Sequence, residues 1–221
     1  MIQRLLEPEV MDTREEAMDY DSMDHEDVNG VFARDFNDAR NPKDGFQLID
    51  LGTGTALIPI QICNRHPSMH ITGVDLADSM LDLGRHHVAR FALSPRIELC
   101  KADAKNLPFP ENHFDGAFSN SIAHHIPDPV KVFQEMIRVT KPGGLMFMRD
   151  LLRPLTEEAL KRIVKLHTNG ATDRQKALFA ASLHAALTEQ EVKAIVNSLG
   201  YPPRTVRQSS DRHWTWIARK P

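Results

Sequence analysis

The chain has 221 residues, 41% hydrophobic and 26% charged, with 27 Lys and Arg against 30 Asp and Glu for a net charge of −3. That is the size and composition of one compact globular domain. No apolar run approaches the roughly 18–20 residues that cross a bilayer. The start MIQRLLEPEVMD meets acids too early for a secretory signal, so an intracellular, cytoplasmic protein is expected. A negative total without a dense Lys/Arg run gives no electrostatic basis for nucleic-acid binding, which leaves a small molecule as the expected partner.

Residues 1–45 read as an acidic helical lid. The first thirty residues hold ten acids against Arg4 and Arg14, leaving the remainder mildly basic. From Asp24 to Ala39, Val28, Val31, Phe32 and Phe36 recur at helical spacing behind an Asp24 cap. The segment ends in the turn-like Asn41-Pro42-Lys43-Asp44-Gly45. Its Met11, Met18 and Met23 fit either a flexible cover over a pocket or a plain anchor to the core.

Residues 46–150 alternate strands and helices. Phe46–Leu51, Ile71–Asp75, Ile97–Lys101, Phe114–Ser119 and Leu145–Arg149 read as strands. Ala56–Arg65, Ser79–Ala92 and Pro129–Val139 read as helices, the last with Pro129 at its first position behind Asp128. This alternation implies an α/β fold with a doubly wound, mostly parallel sheet and helices on both faces. Such sheets bind ligands at the carboxyl ends of their strands. Residues 151–203 form a helical insert with stretches near Thr156–Leu166, Arg174–Leu187 and Thr188–Leu199. Thr188 and Glu191 have capping-box spacing, and Gly200 stops the last stretch before Pro202-Pro203. Residues 204–221 add two β-like runs, Arg204–Gln208 and Trp214–Ala218, as a terminal antiparallel pair. All four parts are expected to form a single domain. Cys63 and Cys100 lack a CxxC spacing and read as buried free thiols.

The sharpest local feature is Leu48-Ile49-Asp50-Leu51-Gly52-Thr53-Gly54-Thr55-Ala56, a strand running into a glycine turn and then a helix. Glycines let the backbone pass close under a ligand, and the helix amino terminus offers N–H groups to an anion. Asp50 ends the first strand, Asp75 the second in Gly73-Val74-Asp75-Leu76, and Asp103 follows the third in Lys101-Ala102-Asp103-Ala104. A carboxylate where Asp75 stands can accept two hydrogen bonds from ribose hydroxyls, and Asp103 is placed to meet an exocyclic amine. Each acid alone reads as a surface or capping residue. Three acids at three successive strand ends favour a nucleoside site.

In this order the motifs resemble the class I S-adenosylmethionine-dependent methyltransferases, specifically the single-domain group acting mostly on small molecules. Asp50-Leu51-Gly52-Thr53-Gly54 is similar to the family's first motif, Asp75 to its ribose acid, and Ala102-Asp103-Ala104 to its adenine-contact segment. Asn106-Leu107-Pro108-Phe109, Phe114-Asp115 and Thr140-Lys141-Pro142-Gly143-Gly144 follow as in the family. The resemblance covers roughly residues 46–150 and implies a Rossmann-like sheet, with S-adenosylmethionine as cofactor and S-adenosylhomocysteine as product. It implies cofactor contacts from Asp50, Gly52, Thr53, Gly54, Asp75, Leu76, Met80, Asp103, Ala104 and Asn120. One departure is Ala56, where the family often has a third glycine; alanine is small enough that little disturbance is expected. Leu57 takes the last place of a Gly-x-Gly-x-x-Gly fingerprint, which counts against a dinucleotide.

Methyl transfer asks a protein to align the nucleophile, exclude water and, where needed, remove a proton. The candidate bases, His124 and His125, follow the fourth strand in Ser119-Asn120-Ser121-Ile122-Ala123-His124-His125-Ile126. His125 is preferred, and the two adjacent side chains are expected to point differently and not to share a function. Helix capping and substrate orientation are the competing roles. The loop lacks the Asn/Asp-Pro-Pro-aromatic sequence of resembling DNA-adenine and protein-glutamine enzymes. It also lacks a pair of acids beside Asn120 for magnesium, so metal-free transfer to a small acceptor is expected.

Arg149-Asp150-Leu151-Leu152-Arg153-Pro154 leaves the fifth strand at the same edge. Its arginines suit either a substrate carboxylate or phosphate, or an Arg–Asp pair holding the loop. Tyr20, Met23, Arg149, Asp150 and Arg153 are therefore the candidate substrate-pocket residues. His86-His87 read as surface residues, and Trp214 and Trp216 as braces of the terminal strands. The expected activity is in-line methyl transfer to a small molecule, a quinone among the acceptor types of resembling enzymes, by a monomer or homodimer. An NAD(P)-dependent oxidoreductase and a non-catalytic cofactor-sensing module are the alternatives.

Overall fold

The computed structural model describes residues 2–7, 12–23, 26–41 and 44–221. Met11, the Asp24 cap and Pro42-Lys43 of the expected turn lie outside the described residues. Two helices come first, α1 (Arg14–Asp21) and α2 (Glu26–Ala39). There follow β1 (Gln47–Leu51), α3 (Leu57–Arg65), β2 (His70–Asp75), α4 (Asp78–Arg90), β3 (Ile97–Lys101), β4 (Phe114–Asn120), α5 (Val130–Val139) and β5 (Thr140–Leu151). The remaining elements are α6 (Glu157–His167), α7 (Asp173–Ala185), α8 (Glu189–Ser198), β6 (Val206–Gln208) and β7 (His213–Arg219).

Seven strands form one sheet in the order β3-β2-β1-β4-β5-β7-β6. The β1–β2, β1–β4 and β2–β3 pairs are parallel and β6–β7 is antiparallel, as the alternating pattern and the terminal pair led one to expect. The chain winds outward from β1 to β3 and then returns to place β4 on the other side of β1. That reversal opens a crevice at the carboxyl ends of β1 and β4, where open α/β sheets bind ligands.

The chain falls into two compact units, one of residues 10–120, 131–147 and 217–221, the other of residues 1–9, 121–130 and 148–216. The first is built on strands buried from both sides. Phe32 and Phe36 of α2, Ile58, Ile60 and Ile62 of α3, Leu48, Ile71, Ile97, Phe118 and Phe147 form one core cluster. The phenylalanines meet edge-on, with the Phe32 and Phe147 ring centres 5.1 Å apart at 78°, a favoured aromatic geometry. In the second unit Leu151, Leu160, Ile163, Leu183 and Ala186 make a smaller core. Trp214 and Trp216 are fully buried on β7, and Tyr201 meets Trp216 edge-on at 5.4 Å.

Two element boundaries differ from the sequence reading for definable reasons. Strand β5 starts at Thr140, not Leu145, because Gly143 N–H donates to Lys220 O (2.8 Å) and Lys220 N–H to Gly144 O (3.1 Å). This pairing draws the Lys-Pro-Gly-Gly segment into the ladder, and Gly143 bends it at φ +80°. The run Arg204–Gln208 begins instead as a 3-10 turn over Pro203–Thr205, because consecutive prolines fix φ and supply no N–H. Cys63 is buried, but Cys100 is half-exposed, so only the first fits the buried-thiol expectation.

Candidate active site

A narrow cleft in the first unit is lined by Tyr20, Asn29, Asp50, Gly52, Thr53, Thr55, Leu57, Ile58 and Asn120. Its floor is the glycine turn. Gly52 and Thr53 both donate their N–H to Val74 O at 2.9 Å, pinning the turn to β2. The Asp75 carboxylate then accepts Gly54 N–H (2.8 Å) and Ala77 N–H (3.0 Å), tying the turn to the start of α4. Gly52 and Gly54 take φ of +75° and +53°, which glycine adopts without a Cβ penalty. Ala56 follows at φ +61° as the residue before α3. A left-handed alanine there costs roughly 1–2 kcal/mol of backbone strain, which a glycine would not.

Asp50 is 2% exposed. Burial, reinforced by the nearby Asp75 and opposed by the Thr53 hydroxyl, pushes its carboxyl up to about 8. Burial also raises Asp75, against its backbone hydrogen bonds. Tyr20 is pushed up to about 12 by burial and by the charges of Asp75, Asp21 and Asp50. It reaches the cleft from α1, whose Ala17 packs with Ala77 and Met80 of the α4 region. Helix α1 is further tied down by Asp21, which meets His87 Nε2 at 2.8 and 2.9 Å. His87 is therefore not a plain surface residue, whereas His86 is exposed.

Of the expected cofactor residues, the cleft brings together Asp50, Gly52, Thr53 and Asn120, with Gly54 and Asp75 bonded to one another beside it. Met80 and Ala104 are buried and Leu76 is half-buried. Asp103 turns its carboxylate onto Lys105, accepting its N–H and pairing with its Nζ at 2.9 Å. Burial opposes ionisation of Asp103, but this pairing outweighs it and lowers the group. Met23 is half-buried and is not among the cleft-lining residues, and Met18 is exposed, which speaks against a methionine cover. Asn29, Thr55, Leu57 and Ile58 were missed. Asn29 left a readable signal, since it shares the apolar face of α2 with Phe32, Ala33 and Phe36 yet is polar and buried.

In the second unit, Ala123–His125 form a 3-10 turn. The Asp150 carboxylate accepts Ala123 N–H (2.5 Å), Leu151 N–H (2.6 Å) and the Nδ1–H of His124 (2.6 Å). Burial disfavours charge on both partners, but mutual attraction wins, raising His124 and lowering Asp150. The two histidines do not diverge as expected: their ring centres are 4.0 Å apart at 37°, because the tight turn stacks consecutive side chains. His125 Nδ1 lies 3.6 Å from Glu7. Glu7, His124 and His125 could offer three ligand atoms to a metal ion, although His124 Nδ1 is taken by Asp150. Arg149 donates Nε to Thr215 (2.9 Å), and Arg153 donates to Ala186 O (2.9 Å) and Glu191 (2.6 Å). Both arginines are buried, Arg153 is paired with Glu191, and Asp150 holds His124.

A doubly wound sheet whose first turn is tied to an acid at the end of the second strand is a nucleoside-binding α/β fold. Residues 49–148 match the family model of the methyltransferase domain, and the chain has the class I S-adenosylmethionine-dependent methyltransferase fold. It is similar to a methyltransferase of Aquifex aeolicus, with a TM-score of 0.66 at 16% identity over 95% of this chain and 99% of that one. Similarity also extends to the plantazolicin methyltransferase BpumL, crystallised with S-adenosylhomocysteine, with a TM-score of 0.72 at 13% identity over 94% and 90%. In sequence it is 37% identical over 113 residues to a demethylmenaquinone methyltransferase of Desulfitobacterium hafniense, covering 51% of this chain and 45% of the relative. It is 31% identical over 109 residues to a ubiquinone/menaquinone biosynthesis C-methyltransferase of Geotalea daltonii, covering 49% and 46%. The matched part of the chain thus spans about half the length of these relatives.

Proposed function

We propose that the protein transfers a methyl group from S-adenosylmethionine to a small-molecule acceptor. The observation that carries this reading is the Asp75 carboxylate, which holds the glycine turn beside an acid-lined cleft. The residues fit the cofactor: Asp75 suits ribose hydroxyls, and Asp50 suits the ammonium of the methionine end. When bound, the cofactor supplies an electrophilic methyl carbon whose bond to sulfur breaks as the acceptor's bond forms. Gly52, Thr53, Gly54, Leu76, Met80, Asp103, Ala104 and Asn120 are the remaining proposed contacts, Asp103 after release from Lys105.

We take the acceptor to be a quinone in its reduced form, as the names of the sequence relatives suggest. Methylating a ring carbon replaces a hydrogen, so one proton must leave. We assign its removal to His124 in place of His125, the residue preferred from the sequence. Its Nδ1–H is held by Asp150, which fixes the tautomer and leaves Nε2 as the basic atom. His125 is the stacked neighbour in this turn, and Tyr20, Met23, Arg149, Asp150 and Arg153 are proposed to shape the acceptor side, the two arginines through their structural bonds. The cytoplasm fits two free cysteines. Among the described residues no helix is long and apolar enough to cross a membrane.

Calorimetry with S-adenosylmethionine and S-adenosylhomocysteine tests the cofactor, and product mass after incubation with reduced demethylmenaquinone tests the acceptor. Folded protein that binds neither cofactor form ends the proposal. Binding without transfer to any quinol or other metabolite favours a cofactor sensor instead.

A further inference from the structure

The first described residues lie outside the stretch that matches the methyltransferase domain, yet they are firmly held. Ile2 N–H donates to Leu155 O and Leu5 N–H to His184 O, both at 3.2 Å, and Ile2 packs on the Leu151 cluster. Between these two anchors Arg4 points its guanidinium at a row of backbone carbonyls. Nε donates to Ala185 O at 2.7 Å. Nη2 reaches Ile126 O (3.0 Å), His124 O (3.3 Å) and Ala123 O (3.4 Å), and Nη1 reaches Pro127 O (3.5 Å). The last carbonyls of a short helical turn have no partner within it, and a guanidinium carries five N–H donors in a rigid fork. One side chain thus meets the carbonyls of Ala123 and His124 within the turn and of Ile126 and Pro127 just after it. The amide end is satisfied by Asp150, through Ala123 N–H and His124 N–H.

We infer that Arg4 is a positioning residue for His124, clamping the carbonyl end of the turn whose amide end Asp150 clamps, so that the imidazole keeps its bond to Asp150. This rests on the role of His124 as proton acceptor given above. Glu7 completes the strap: it accepts from Ser182 Oγ at 3.1 and 3.2 Å and lies beside His125. A lysine at position 4 cannot do the same work. Its three donors radiate from a single nitrogen, whereas the fork serves the carbonyls of residues 123, 124, 126, 127 and 185 at once.

The test reads His124 directly in the full chain, by nitrogen NMR of labelled histidine across a pH series, with Arg4→Met and Arg4→Lys. The charged and titratable groups facing His124 are Asp150 and Glu7, which raise it, and Arg4, which lowers it, with His125 stacked alongside. These signs separate two roles. Were Arg4 only a neighbouring charge, its removal would raise the His124 midpoint further. If it positions the turn, its loss frees the ring from Asp150, and the midpoint falls toward that of an ordinary histidine as the Nδ1–H signal weakens.

We expect the fall in Arg4→Met and a smaller fall in Arg4→Lys, with affinity for S-adenosylhomocysteine within about twofold of the parent. A midpoint that stays or rises, with the Nδ1–H signal intact, overturns the inference. Should Arg4→Met fail to fold, Arg4→Gln carries the same two expectations. Failure of the parent protein to bind S-adenosylhomocysteine would count against the proposed function alone, because the NMR readout needs no cofactor.

Discussion

Binding of S-adenosylhomocysteine should expel a proton from Asp50. Within the cleft, burial and the charge of Asp75 hold this carboxyl at about 8, so at pH 7 about nine in ten copies are protonated. The ligand's ammonium, placed about 4 Å away, attracts the ionised form by about 4 kcal/mol at an effective dielectric of 20. That exceeds what is needed to ionise the group, since one pKa unit is about 1.4 kcal/mol. Binding at pH 7 should therefore release about 0.9 proton, and at pH 9 only about 0.1. Calorimetry in buffers of different ionisation enthalpy reads this number as the slope of observed heat against buffer enthalpy. Asp50→Asn should bring the slope near zero. A parent protein that binds the ligand at pH 7 with no slope, or an Asp50→Asn variant with the parent's slope, refutes the reasoning. The same group fixes a sign for stability. A carboxyl raised in the fold favours the neutral state, so its contribution is lost as pH climbs from about 4 through about 8. Denaturant midpoints of Asp50→Asn should lose that decline.

Three further outcomes follow from the cleft. Asp75→Asn keeps an acceptor for only one of the two amides now bound at 2.8 and 3.0 Å. It should cost about 1.5–3 kcal/mol in urea unfolding and weaken S-adenosylhomocysteine binding. In Gly73→Ala the new Cβ would stand 2.7 Å from Thr53 Oγ1 and 2.8 Å from Leu99 Cδ2. Overpacking of this kind costs about 1–3 kcal/mol, and calorimetry should show weaker binding because Thr53 is pushed. His87→Ala removes the bond to Asp21, a partly exposed pair worth about 1 kcal/mol or less. Its effect should be local: faster limited proteolysis within residues 14–21, with an unfolding midpoint close to the parent's.

What the chain order disclosed was the scaffold of the site. The glycine turn and Asp50 are set by adjacent residues, and Asp75 follows from strand periodicity, so both were legible without coordinates. Side-chain choices between competing partners were not. Asp103 had an amine-binding role open to it, but Lys105 stands two residues on and takes the carboxylate. Likewise Asp150 and His124 are 26 residues apart, and nothing in their spacing says that strand β5 delivers one to the other. The stacking of His124 on His125 depends on a turn tighter than an α-helix, which a six-residue window does not specify. Arg4 was counted only as a charge in an acidic segment, because its five carbonyl partners belong to the backbone and leave no mark on residue type.

Charge also separates the two cofactor readings. The groups acting on Asp50 and Tyr20 from their surroundings include Asp75 for the first and Asp75, Asp21 and Asp50 for the second, while Asp12 adds to Asp75. The acids of the first thirty residues are thus in part a feature of the cleft, since Asp12 and Asp21 also fasten α1 to α4 through Ser79 and His87. S-adenosylhomocysteine brings an ammonium and a carboxylate with no net charge into that field, and S-adenosylmethionine adds a sulfonium. A dinucleotide brings a diphosphate, and in dinucleotide folds this group sits at the glycine turn, here beside Asp50 and Asp75. Each charge pair about 6 Å apart is worth close to 3 kcal/mol at an effective dielectric of 20, so even partial ionisation of these acids disfavours the dinucleotide. NADH should bind at least about 100-fold more weakly than S-adenosylhomocysteine, a gap of about 2.7 kcal/mol. Fluorescence titration with NADH, followed by displacement with S-adenosylhomocysteine, measures the gap. Comparable affinities would mean that the field of these carboxylates does not select the ligand.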